Sequence, residues 1–241
     1  CQPRGITVQD AVTAGLRGIC GVIRSVEGSG RTDAGVSARQ QVAHFDAPMS
    51  SRMEAEHWQR ALNSVLPAAV RVIACGEVDG SFHARYSALK KTYCYRIAHG
   101  EVLLPWHQGL RWHHRFKGDV SSLGEIFALY QGTHDFKAFA ANRNDGKDED
   151  RDACRTISAI VTERDNDEIR VKLTGNGFLY KMVRFLVGSA VYCCDGKISE
   201  QALIDLLRDP PCREKAPFCA PADGLILEGV SYPTEYQISS A

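Results

Sequence analysis

Asp33 lies in a short polar stretch, GSGRTDAGVSA (residues 28–38), with Arg31 and Thr32 before it and glycines on both flanks. A plain turn needs the glycines but not the Arg-Thr-Asp. A lone carboxylate held beside a guanidinium is a candidate for nucleophilic or acid–base work. The phosphate-cradling alternatives fail on residue type. No Gly-Lys-[Ser/Thr] follows for a P-loop, and the Gly28-x-Gly30 pair runs on into Asp33 and a strand-like segment. A dinucleotide turn would need a third glycine opening a helix. The competing structural role is an Asx-turn at Asp33 with Arg31 as a surface charge.

Three further segments combine Lys and Arg with aromatics and carry no acid: HARYSALKKTYCYR (83–96), RWHHRFK (111–117) and RVKLTGNGFLYKMVR (170–184). Such segments suit a phosphate-lined partner. Against them stands the acidic NDGKDEDRD (144–152), expected within a surface loop over 142–152. The chain carries 29 Lys+Arg and 29 Asp+Glu, a formal net charge of zero. That balance argues against a protein that coats nucleic acid indiscriminately. Nine cysteines with Cys193 and Cys194 adjacent, and no C-x-x-C, read as reduced thiols of an intracellular protein. The eight histidines lack metal-ligand spacing, so no metal is expected. No apolar stretch approaches the ~20 residues of a membrane span.

The elements that must position these groups alternate irregularly. Thr7 caps a helix through Val12 and Leu16. GVIRSV (21–26) and RQQVAHFDA (39–47) read as strands around the glycine turn, and 52–66 as a helix stopped by Pro67. VRVIACGEV (70–78) and KKTYCYRIA (90–98) read as strands, the latter with Tyr93, Tyr95 and Ile97 on one face. Helices follow over about 120–131, 178–192 and from Ser199 to Pro210. A hairpin spans 155–175 and a last strand 224–232. This is an α/β (α+β) pattern without strict βαβ alternation. Its looser stretch at 99–118 suggests two lobes, 1–98 and 99–241.

GRTDAGVSA resembles the signature of the TruA family of tRNA pseudouridine synthases. FHARYSALKKTYCYRI, GTHDFKAF, RTI, GNGFLYKMVRFLVG and APADGLILEGVSYP resemble its later motifs, in family order, from about residue 5 to about 233. Ser37 stands where the family commonly has His, and the family's opening strand, with Y-D-G-T and G-W-Q, has no counterpart before Gln2. The resemblance implies the pseudouridine synthase fold: two fused lobes, mixed and mostly antiparallel sheets, outer helices and a cleft between the lobes. It implies a cofactor-free isomerase acting on uridine in the tRNA anticodon arm, around tRNA positions 38–40. It also implies a homodimer in the cytoplasm, with nucleus or mitochondrion as alternatives.

By the same resemblance Asp33 is the catalytic carboxylate, as nucleophile or as base. Arg184 pairs with it and holds its rotamer, and Tyr93 stacks on the target base or exchanges protons. Arg31 and Thr32 face the target stem. Phe178 and Leu179 line the uracil pocket or pack beneath it. Arg85, Lys90, Lys91 and Lys181 are phosphate contacts. A non-catalytic RNA-binding protein of this fold and a synthase acting on other uridines are the alternatives.

Overall fold

The computed structural model describes residues 7–23, 25–49, 51–115, 117–142, 152–208 and 214–236. The expected acidic loop at 142–152 falls almost wholly outside them, as do Pro210 and Pro211. In chain order the elements are α1 (Val8–Cys20), β1 (Val26–Gly28), β2 (Ser37–Ala38), β3 (Ala43–Phe45), α2 (Ala55–Val65), β4 (Lys90–Ala98) and β5 (Trp112–His113). There follow α3 (Val120–Ala128), β6 (Gly132–Asp135), β7 (Cys154–Asp165), β8 (Glu168–Gly175), α4 (Met182–Cys194), α5 (Glu200–Leu206) and β9 (Leu225–Ser231). They form two compact units that interleave in sequence. Unit 1 is 1–31, 41–89 and 231–241, and unit 2 is 32–40 and 90–230, so a single cut after residue 98 does not separate them.

In unit 1, Thr7 and Asp10 exchange hydrogen bonds as a capping box at the start of α1. Helix α2 ends as Leu66 turns extended before Pro67. Leu16, Ile23, Val26, Trp58, Leu62 and Leu66 form the core. Strands β1 and β3 pair antiparallel, Val26 opposite Phe45. The strand expected over 21–26 thus begins only at its last residue, and 39–47 contributes Ala43–Phe45. The strand expected over 70–78 is absent. Asn63 on α2 takes both backbone groups of Val72, Nδ2 donating to its carbonyl and Oδ1 accepting from its amide, each at 2.8 Å. Gln59 Nε2 donates to the Ile73 carbonyl at 2.9 Å. Side-chain amides replace the ladder partner that an extended segment ordinarily requires.

Unit 2 is built on a seven-stranded sheet ordered β2-β9-β4-β8-β7-β6, with β5 pairing to β4. The β4–β8, β8–β7 and β7–β6 pairings are antiparallel, whereas β2 joins β9 and β5 joins β4 in parallel. Alternation along β4 sends Tyr95 and Ile97 into the core with Leu123, Phe127, Tyr130, Val171 and Leu173. Helix α4 is apolar around most of its circumference and buries Met182, Leu186, Val187 and Ala190 completely. Burying each such side chain stabilises the fold by about 1.5–3 kcal/mol. The apolar run at 178–181 does not extend α4, because Lys181 takes a left-handed conformation (φ 61°) and the helix starts after it.

At the far end of β4, Glu168 is buried among three guanidiniums. Arg96 donates to both its oxygens at 2.9 and 2.8 Å, Arg170 Nε donates at 2.6 Å, and Arg111 Nε completes the set. Burial alone would push this carboxyl up, but the hydrogen bonds from Arg96 and Arg170 and the charge of Arg111 outweigh it and hold Glu168 below the usual range. All seven described cysteines are unbridged. Among the described residues no helix is long and apolar enough to cross a membrane.

Candidate active site

Residues 33–36 make a tight turn closed by Val36 N–H donating to the Asp33 carbonyl at 3.1 Å. Gly35, at its third position, has φ +84°, the left-handed geometry that a type II turn demands there. Gly28 and Gly30 do not have positive φ, so the turn's freedom resides in Gly35 alone. The chain leaves the turn into β2, whose Ser37 and Ala38 lie beside Ile226 and Leu227 of β9. Arg39 N–H adds a 2.8 Å bond to the Leu227 carbonyl. Two paired residues and one further bond therefore graft the Asp33 turn onto the sheet of unit 2.

Arg184 meets it from the first turn of α4. Its Nη1 donates to Asp33 Oδ2 at 2.7 Å across 151 residues of sequence. The two side chains are only 14% and 17% exposed, so the pair is charge-assisted and shielded from water. Arg184 Nε donates to the Ala220 carbonyl at 2.7 Å, and Ala220 N–H donates back to the Arg184 carbonyl at 3.0 Å. Sequence reasoning missed Ala220, since a backbone carbonyl leaves no residue-type signal.

Tyr93, on β4, is half-buried, and its ring meets Phe178 edge-on at 5.2 Å between centroids. Burial, and secondly the negative charge of Asp33, push its phenol up to about 12. Tyr95 points to the same face but is fully buried, its hydroxyl donating to the Pro221 carbonyl at 2.7 Å. Tyr93 makes no hydrogen bond with another described residue, so of the two tyrosines it has the hydroxyl available for a ligand.

Unit 2 therefore brings together Asp33, Arg184, Tyr93 and Phe178, which are scattered in sequence. Leu179 packs against the sheet core and its carbonyl accepts from Met182 N–H at 3.1 Å. Lys181 lies over the Tyr180 ring at 5.1 Å. Lys90 is exposed at the start of β4 with Lys91 half-buried beside it, and Thr32 is half-buried next to Asp33. Arg31 and Arg85 belong to unit 1, both exposed, the latter's guanidinium 5.6 Å from the Tyr86 ring centroid. A monodentate Arg–Asp pair beside a neutral phenol and an aromatic edge can bind a planar ring and offer it one carboxylate oxygen.

Known proteins share this arrangement's sequence. The profile of the family described as tRNA pseudouridine synthase matches residues 126–233, which include Phe178, Arg184 and Ala220. The tRNA pseudouridine synthase A of Akkermansia muciniphila is 42% identical over 236 residues, covering 97% of this chain and 89% of that protein. That of Brevibacillus brevis is 39% identical over 232 residues, 96% of this chain and 92% of the relative. The chain belongs to the tRNA pseudouridine synthase family. A Chlamydia trachomatis tRNA pseudouridine synthase A adds 36% identity over 237 residues, 98% of this chain and 87% of the other. Similarity of this extent spans both the Asp33 turn and the Arg184 helix. Membership makes the chain an isomerase, and its mixed, mostly antiparallel sheet with five α-helices among the described residues is consistent with the pseudouridine synthase fold.

Proposed function

We propose that this synthase converts uridine to pseudouridine in the anticodon arm of tRNA, around tRNA positions 38–40, with Asp33 as the reacting carboxylate and without a cofactor. The observation that carries this reading is the Asp33–Arg184 pair, set beside a tyrosine that burial and the aspartate hold neutral. RNA binding alone requires cations and stacking rings but no shielded carboxylate.

The chemistry is redox-neutral. The C1′–N1 bond breaks with its electron pair leaving on the uracil, while the carboxylate either bonds to C1′ or removes a sugar proton. The uracil turns and C5 bonds to C1′, as the carboxylate–C1′ bond breaks in the first route or as the carboxyl returns the sugar proton in the second; the C5 hydrogen is then lost as a proton and N1 gains one. At pH 7 a phenol with a pKa near 12 is ionised in roughly one molecule in 10⁵, so Tyr93 acts as a neutral group: a stacking face and a hydrogen-bond donor. A base inside a stem is out of reach until it leaves the stack, which Arg31 and Thr32 assist. Lys90, Lys91, Arg85 and Lys181 hold the backbone. The enzyme works as a homodimer with tRNA lying across both copies. We assign it to the cytoplasm, since the relatives named above are bacterial and give no support to the nuclear or mitochondrial alternative.

The test is to incubate the protein and its Asp33→Asn variant with unmodified tRNA and map pseudouridine by carbodiimide-dependent reverse-transcription stops. New stops in the anticodon arm with the native protein, absent with the variant, are expected. Equal stops with both proteins would remove Asp33 from the chemistry. Binding without stops in either would favour the non-catalytic alternative, and stops elsewhere would redirect the specificity.

A further inference from the structure

Arg184 grips Asp33 in a restricted way, and the restriction comes from a segment outside the pair. Arginine usually pairs side-on with a carboxylate through two parallel N–H bonds, one of them often from Nε. Here Nε is taken by the Ala220 carbonyl at 2.7 Å, which removes the side-on form, and Nη1 alone donates to Asp33, at Oδ2. Oδ1 receives no hydrogen bond from another described residue. Ala220 is itself completely buried and also binds the Arg184 main chain, so one peptide fixes both ends of the arginine.

That peptide lies where it does because residue 188 is glycine. A Cβ on Gly188, one turn beyond Arg184 in α4, would stand 2.4 Å from the Phe218 carbonyl oxygen and 2.9 Å from Ala220 N. No other residue lets 218–220 run so close to the helix, and glycine is otherwise a poor choice inside one. The segment continues to Pro221, whose carbonyl accepts from Tyr95, and to Ala222, whose methyl would be 3.1 Å from a Cβ on Gly35 in the Asp33 turn. Leu225 N–H then closes a turn on the Ala222 carbonyl at 2.9 Å and leads into β9, the partner of β2. One run of backbone thus braces the arginine on one side and the aspartate turn on the other.

We propose that residues 218–222, seated against Gly188, are a positioning element that makes Arg184 monodentate and so reserves Asp33 Oδ1 as the oxygen that reacts. The proposal rests on the reading of this site as a uridine isomerase. Bidentate pairing would engage both oxygens and draw electron density from each. The Ala220 carbonyl prevents the side-on form.

Gly188→Ala tests it, because the new methyl must displace the segment by about half an ångström or more. Misplacement on that scale costs up to about 10²-fold in rate. The assay is single-turnover release of the C5 hydrogen from tRNA carrying 5-tritiated uridine, alongside tRNA binding and thermal unfolding. Expected are a 10- to 100-fold slower release, a tRNA Kd within two-fold of wild type, and no further slowing when Gly188→Ala is added to Arg184→Lys. Leu203→Ala in α5, a fully buried site, is the stability control and keeps the wild-type rate. Tyr95→Phe, which only removes the bond to Pro221, should slow release several-fold even if Gly188→Ala folds poorly. Wild-type rates in both Gly188→Ala and Tyr95→Phe overturn the proposal, as does equal slowing in Leu203→Ala. Additive slowing with Arg184→Lys overturns it too. If the wild-type protein releases no tritium, the isomerase reading fails and the proposal falls with it.

Discussion

Replacing Arg184 by methionine removes the charge and both side-chain bonds while keeping the bulk. Two unit charges about 4 Å apart attract by about 4 kcal/mol at an effective dielectric of 20, and desolvation offsets part of that. Removing one partner of a buried pair costs about 3–5 kcal/mol, because the other charge is left uncompensated. With 14% and 17% of the two side chains still exposed, the lower end applies, about 3 kcal/mol. For a chain of this length that corresponds to a fall in Tm of roughly 6–12 °C. Most of it belongs to the pair, so adding Asp33→Asn should recover about 2 kcal/mol, leaving a remainder of about 1 kcal/mol for the loss of the Arg184 bond to the Ala220 carbonyl. The cycle is measured by urea unfolding in a Trp58→Phe background. Fluorescence then reports unit 2, where Trp112 is 8% exposed. Arg184→Lys keeps a charge but not the two-point hold, so it should retain most of the stability and lose at least ten-fold in rate. Additivity of Arg184→Met and Asp33→Asn within 0.5 kcal/mol would refute the reasoning, as would a fully active Arg184→Lys.

Tyr93→Phe keeps the ring against Phe178 and deletes an unpaired hydroxyl. Stability and tRNA affinity should hold while single-turnover release falls about 10²-fold, and an unchanged rate would leave Tyr93 as a stacking face only. Because its folded pKa is raised to about 12, Tyr93 favours the fold fully below pH 10, and that contribution is lost as pH rises through 12. Tyr93→Phe should therefore flatten the alkaline end of the stability curve, measured by urea midpoints. Glu168→Gln strips the buried carboxylate from Arg96, Arg111 and Arg170 and should cost about 3 kcal/mol. Glu168 is depressed in the folded state, so its stabilisation is complete above pH ~5 and lost as pH falls through the folded value. Glu168→Gln should flatten the acid limb, and identical acid slopes would contradict the assigned network.

Local periodicity reached the elements whose own side chains decide them. Alternation located β4 at Lys90–Ala98, and the capping residues Thr7 and Ser199 marked helix starts. It failed where distant groups decide. Residues 70–78 have strand-like composition, but Asn63 and Gln59 satisfy their backbone. Strand β5 is two residues long and is defined only by its pairing with Ile97 and Ala98, the last two residues of β4. At the site, residue types drew attention to Asp33, but its partner is 151 residues away and came from motif resemblance rather than spacing. Gly188 and Ala220 carried no chemical signal, because one acts through a missing side chain and the other through its backbone.

The nine residues 32–40, which carry Asp33, belong to unit 2, although the chain on either side of them belongs to unit 1. Recombination between relatives must respect that splice. A chimera that exchanges everything before residue 90 imports a foreign aspartate turn into a native sheet, matching β2 to a β9 it did not evolve beside. Crossovers after residues 31, 40, 89 and 230 would instead let unit 1 be traded for another relative's while Asp33, Arg184 and Ala220 travel together.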